Sequence, residues 1–154
     1  MKKRIKGFTL VELIVVIAII GVLAAILVPS MMGYVKSSRL KTANANAKVV
    51  FNAANNYATQ METEGRTVNE SFIVNPMACS YGENADTNEL KKAIVDALSG
   101  NGSASGWCYL DFDSDTGTFE GAQWTKDKDS DTIIGQYPNP PEDYNSCPEF
   151  GTFS

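Results

Sequence analysis

From Phe8 to Val28 the chain reads FTLVELIVVIAIIGVLAAILV, 21 residues with a single charge, Glu12. A helix of about 20 apolar residues crosses the roughly 30 Å hydrocarbon core of a bilayer. Lys2, Lys3, Arg4 and Lys6 precede the run, with no acid among them. By the positive-inside rule that end stays in the cytoplasm and the remainder faces outward. An ordinary secretory signal would be cut just after the apolar run, at a small, polar site. Here the run leads into VPSMMGYVK and then straight into another helical pattern. A plain single-pass anchor is the other simple reading. Neither accounts for Glu12, because a carboxylate inside a span is costly and usually marks function.

After Pro29 the pattern turns amphipathic. Leu40, Ala43, Ala47, Val50, Ala54, Tyr57 and Met61 recur at spacings of three and four, while Lys41, Asn44, Lys48, Asn52 and Asn55 fall mostly on other faces. That is the signature of a half-buried helix. Phe8 to about Glu62 therefore reads as one helix, about 80 Å long at 1.5 Å per residue. So long a helix is expected to project from its domain, its apolar half covered by lipid or by other subunits. Pro29 lacks the N–H that would bond the Ala25 carbonyl, and Gly21 adds a second weak point. The two predict a kink or a locally melted stretch between them.

Glu64 and Gly65 end the helix. A loop with the apolar run Phe72–Ile73–Val74 follows, then Asp86 with Glu89 as a capping pair for a helix from Leu90 to Leu98, closed by Gly100. GNGSASG, Gly100 to Gly106, reads as a connector. WCYLDF (Trp107 to Phe112) and TFEGAQW (Thr118 to Trp124) flank DSDTG, which predicts a β-hairpin. Thr132 to Tyr137 reads as a third strand. The tail PNPPEDYNSCPEFGTFS is proline-rich and irregular, with Cys147 as a candidate tether. The expected class is α+β, with a long N-terminal helix packed on a small antiparallel β-sheet head.

Outside the first seven residues, nine basic residues face 18 acidic ones, and ten of those acids lie from Asp111 onward. A head so acidic repels phosphate, which argues against nucleic-acid binding. The chain has no histidine, so serine–histidine and cysteine–histidine catalysis are excluded; no enzyme and no cofactor is expected. Cys79, Cys108 and Cys147 all lie in the outward-facing part, where two can form a disulfide and leave one thiol, with the pairing open. Asp111, Asp113 and Asp115, and again Asp127, Asp129 and Asp131, have the spacing that opens a calcium loop. Thr116 and Thr132 stand where such a loop needs glycine, and Ala122 and Pro138 where it needs glutamate. Solvated turn carboxylates are the better reading, with calcium the weaker one. Trp107, Tyr109, Trp124 and Tyr137 read as sheet-packing aromatics, with a sugar-binding strip as the alternative.

KGFTLVELIVVIAIIGVLAAILVP resembles the prepilin signal of type IV pilins and type II secretion pseudopilins. The resemblance is close over the first 30 residues and loose over the next 30. It implies that a prepilin peptidase cuts between Gly7 and Phe8 and N-methylates Phe8. It also implies that Glu12 pairs with the Phe8 amine of a neighbouring subunit during assembly, and that Gly21 and Pro29 are the helix-weakening positions. The division that follows is a leader over residues 1–7, removed, and a helix over 8–62, with a membrane span at 8–28 and an amphipathic half at 30–62. The head, 63–154, then holds an αβ-loop, a β-hairpin region and a C-terminal loop. The implied product is a homo-oligomeric helical filament built by pilus assembly machinery, serving adhesion, surface motility or DNA uptake. Its subunit starts as a single-pass protein of the cytoplasmic membrane and ends on the cell surface. The rivals are a secretion pseudopilin, which calcium in the head would favour, and a membrane-anchored surface protein that never polymerises.

Overall fold

The computed structural model describes residues 7–80, 88–100, 102 and 105–153. They fall into two compact units that divide between Val35 and Lys36. Helix α1, Leu10–Thr63, runs from the first unit into the second.

In the first unit every residue from Gly7 to Met32 is exposed. α1 is continuous through Gly21 and Pro29, so the locally melted stretch does not occur in the single chain. Pro29 removes the hydrogen bond to Ala25 and crowds that turn, at a cost of about 3 kcal/mol, yet the helix continues on both sides of it. The Ser30 hydroxyl donates to the Leu27 carbonyl at 2.9 Å, one turn back.

In the second unit the seven expected positions of α1, from Leu40 to Met61, are all buried, joined by Asn46 and Ala53. α1 ends in a Schellman motif. The Arg66 N–H bonds the Met61 carbonyl at 2.8 Å, and the Gly65 N–H bonds that of Glu62 at 3.0 Å. Gly65 sits at φ +72°, which glycine adopts without strain.

Beyond α1 the order is a 3-10 turn (Glu70–Phe72), β1 (Met77–Ala78), α2 (Glu89–Gly100), β2 (Trp107–Asp113), β3 (Thr118–Thr125) and β4 (Gly135–Tyr137). The strands form one antiparallel sheet in the order β1-β2-β3-β4. The hairpin stands where the sequence places it, with Asp113–Gly117 as its turn. The third strand is shorter than expected: Thr132 to Ile134 lie outside β4, and the Ile133 N–H bonds the Asp131 carboxylate at 3.1 Å instead of a strand partner. Phe72–Ile73–Val74 forms no strand. β1 follows it and escapes sequence reading, being two residues long. α2 starts at Glu89, where the Asn88 side chain accepts the Lys91 N–H at 2.9 Å and so caps the helix. Asp86 of the expected capping pair lies outside the described residues, as do Asn101, Ser103 and Ala104 of the GNGSASG connector.

α1, α2 and one face of the sheet enclose the core. Leu90, Ile94 and Leu98 of α2 join Cys108 and Leu110 of β2 and Phe119, Ala122 and Trp124 of β3. Phe119 is odd-numbered among even-numbered core residues of β3. A β-bulge explains it: Asp111 pairs Gly121 but Phe112 pairs Phe119, leaving Glu120 as the extra residue. One inserted residue moves a side chain to the other face, and the Phe112 and Phe119 rings meet at 5.1 Å.

Three amide side chains replace missing strands. Asn75 donates to the Leu110 carbonyl (2.7 Å) and accepts its N–H (3.0 Å). Asn44 accepts the Gln136 N–H (3.2 Å) and donates to the Pro141 carbonyl (3.0 Å), tying α1 to β4 and the tail. Gln123, fully buried, accepts the Gly151 N–H (2.7 Å) and donates to the Thr152 carbonyl (2.6 Å). The tail is therefore held by Gln123, and by Phe150 and Phe153 against Tyr109 at 6.0 and 6.2 Å. Cys147, the expected tether, is a half-buried thiol packed at the core's edge.

Candidate functional site

The first turn of α1 gathers the residues that the sequence singles out. Thr9 is the N-cap. Its N–H and its hydroxyl both donate to Glu12 Oε2, at 2.8 and 2.7 Å. Its hydroxyl oxygen in turn accepts the Glu12 N–H at 3.3 Å. This is a capping box, in which cap and third helical residue satisfy each other's free N–H groups. The T-x-x-E spacing was readable in the sequence, so Thr9 is the site residue that sequence reasoning missed. In the single chain Glu12 is thus partnered locally. Both bonds fall on Oε2, and Oε1 has no protein partner among the described residues.

Phe8 is 89% exposed, one residue before the cap. Gly7 is exposed, with open space around it. The Gly7–Phe8 bond therefore lies ahead of the helix, between two exposed residues. Cutting it would create an amine on Phe8 at the positive end of the helix dipole, which disfavours that charge and favours a carboxylate such as Glu12. Beyond it, Val11, Leu13, Ile14, Val15, Ile17 and their successors to Val28 are large apolar side chains at about half exposure or more. α1 is the one helix among the described residues long and apolar enough to cross a membrane.

Two of the head's candidate carboxylates, Asp113 and Asp127, close turns. Asp113 accepts the Asp115 N–H (2.8 Å) and the Thr116 hydroxyl (2.9 Å), closing the hairpin turn. Those bonds, the backbone one first, hold its carboxyl below the usual carboxylate range. Asp127 accepts the Ser130 hydroxyl (2.6 Å) and the Asp129 N–H (3.1 Å), which lower its pKa in that order. Asp129 pairs with Lys128 at 2.7 Å. Among the described residues no three acidic, cysteine or histidine side chains converge as metal ligands.

The aromatics do not form a strip. Trp107 and Tyr109 oppose Thr125 and Gln123 on one face of the sheet, whereas Trp124 opposes Cys108 on the other, in the core. Tyr137 lies against Phe51, rings 5.0 Å apart, with the Lys48 ammonium 5.3 Å from its centre.

Comparison with known proteins bears on the first turn. Residues 2–28 match the prokaryotic N-terminal methylation motif. The chain is 36% identical over 79 residues to the type IV major pilin protein PilA of Myxococcus xanthus (strain DK1622), covering 51% of this chain and 36% of that protein. It is 38% identical over 76 residues to a type IV major fimbrial protein FimA of Dichelobacter nodosus, covering 47% and 43%. It is 29% identical over 122 residues to a fimbrial protein of Neisseria meningitidis serogroup B (strain ATCC BAA-335 / MC58), covering 67% and 72%. The chain thus spans less than half the length of the first two relatives. No solved structure matches it.

Proposed function

We propose that this chain belongs to the type IV pilin family, as its N-terminal motif and its relatives support, and is the structural subunit of a surface filament. One observation carries the reading: an N-terminal methylation motif includes the start of a helix whose residues 10–28 the chain itself leaves exposed. Such a surface needs lipid before assembly and copies of itself afterwards. The leader, residues 1–7, is removed between Gly7 and Phe8 and the Phe8 amine is methylated, which leaves it able to carry charge.

Glu12 then has two successive roles. In the membrane-held subunit it closes the capping box with Thr9. In the filament it also meets the Phe8 amine of the next subunit, using the oxygen that Thr9 leaves unpaired. A charge pair in an apolar surround sets register, since every other axial offset strands both charges. The prepilin peptidase and the assembly machinery are the partners in this sequence of events. The filament belongs on the cell surface, in adhesion, surface motility or DNA uptake. Electron microscopy of filaments sheared from cells, with the subunit identified by mass spectrometry, tests the reading. Cells that carry the protein only in the membrane fraction would overturn it.

A further inference from the structure

Two of the three cysteines meet in the core. Met77 of β1 pairs with Cys108 of β2, and Ala78 with Trp107. The ladder continues one step further, with the Cys79 N–H bonding the Gly106 carbonyl at 2.8 Å. Side chains alternate along strands, so Cys79 emerges on the same face as Met77 and diagonally beside Cys108. Cys79 is the group that most perturbs the Cys108 thiol, raising its pKa. Both side chains are fully buried, among the core residues of α1 and α2. Cys147 lies on the tail, half-buried.

We propose that Cys79 and Cys108 are joined by a disulfide in the exported protein, and that Cys147 remains a thiol. The inference rests on the outward placement of the head in the filament reading, because disulfides form and persist outside the reducing cytoplasm. Each cysteine gives up one proton and one electron as the Sγ–Sγ bond forms. A thiol–disulfide oxidoreductase of the cell envelope takes both of each, its own disulfide becoming a dithiol through a mixed-disulfide intermediate.

The folded state blocks that exchange. No oxidant reaches two fully buried sulfurs. In addition Cys79, followed by burial, pushes the Cys108 thiol well above its usual pKa, so it is a poor nucleophile. The bridge therefore forms on the emerging chain, before β1 closes on β2. Once made, it ties the loop after α1 to the sheet and encloses α2 within a covalent ring.

Trypsin separates the three cysteines: Cys79 falls in residues 67–91, Cys108 in 93–126 and Cys147 in 129–154. Full-length protein from both the sheared fraction and the detergent-extracted membrane is denatured and treated with iodoacetamide. It is then reduced, treated with N-ethylmaleimide and digested, alongside a digest left unreduced. The expected result is N-ethylmaleimide on Cys79 and Cys108, iodoacetamide on Cys147, and 67–91 linked to 93–126 in the unreduced digest. Iodoacetamide on all three overturns the proposal, as does any link that includes 129–154, within one chain or between two. Whether filaments are present in the sheared fraction decides the subunit reading separately, since the map is made on the membrane form as well.

Discussion

Gly135 is where β4 meets α1 backbone to backbone. A Cβ there would overlap the carbonyl group of Ala43. Gly135→Ala therefore cannot be absorbed by a side-chain rotation; β4 must back away from α1. Overpacking of this kind costs about 1–3 kcal/mol. Retreat also breaks the Asn44 clamp on Gln136 and Pro141, at about 1 kcal/mol net for each bond. Alanine offsets part of this, about 0.4–1 kcal/mol, by restricting the unfolded chain. The net expectation is a loss of about 2–4 kcal/mol, a large share of the ~5–15 kcal/mol typical of a domain.

Gly121→Ala is the matched control. Its Cβ would meet the Phe153 ring, 2.8 Å away, and that ring lies on the tail and can give; the cost should stay below about 1 kcal/mol. Urea unfolding of the detergent-held full chain, followed by fluorescence of the buried Trp124, measures both. Equal midpoints for the two variants, or an unchanged midpoint for Gly135→Ala, would refute the backbone contact.

Gln123→Ala should free the tail: losing its bonds to Gly151 and Thr152 costs about 1–3 kcal/mol, and chymotrypsin should then cut at Phe150 far faster than in the parent. Asp113 and Asp127 have pKa values lowered by folding, so their bonds stabilise the head above about pH 4 and are lost as pH falls through the folded values. Thermal unfolding between pH 7 and pH 2 should show a shallower acid decline in the double variant Asp113→Asn, Asp127→Asn, whose amides keep the turns without titrating; an identical decline would contradict the assignment. Glu12→Val should insert into the membrane at least as well as the parent yet lower the yield of sheared filament by more than about tenfold. Thr9→Val, which breaks only the cap, should cost much less, and normal yield with Glu12→Val would show that the filament assembles without the Glu12 charge pair.

What the sequence disclosed was whatever follows from period and charge. The three-and-four spacing from Leu40 to Met61 named the buried face of α1, and the alternation on either side of DSDTG located the hairpin. Fewer signals marked the rest. β1 has two residues, too few for any periodicity. Thr132 to Ile134 look like strand but are held by an aspartate turn. The bulge at Glu120, the amide clamps of Asn44, Asn75 and Gln123, and the meeting of Cys79 with Cys108 all join residues far apart in sequence, through contacts that only tertiary structure creates. At the site, Glu12 stood out as a lone charge. Its partner Thr9 did not, because a threonine in an apolar run draws no attention unless the T-x-x-E spacing is read as a cap.

The intact mass of the subunit recovered from sheared surface filaments bears most directly on the central claim. A processed, assembled pilus subunit gives a chain that begins at Phe8 and carries one added methyl group there. A chain that begins beyond Pro29, or a protein found whole from Met1 and only in the membrane, would contradict it.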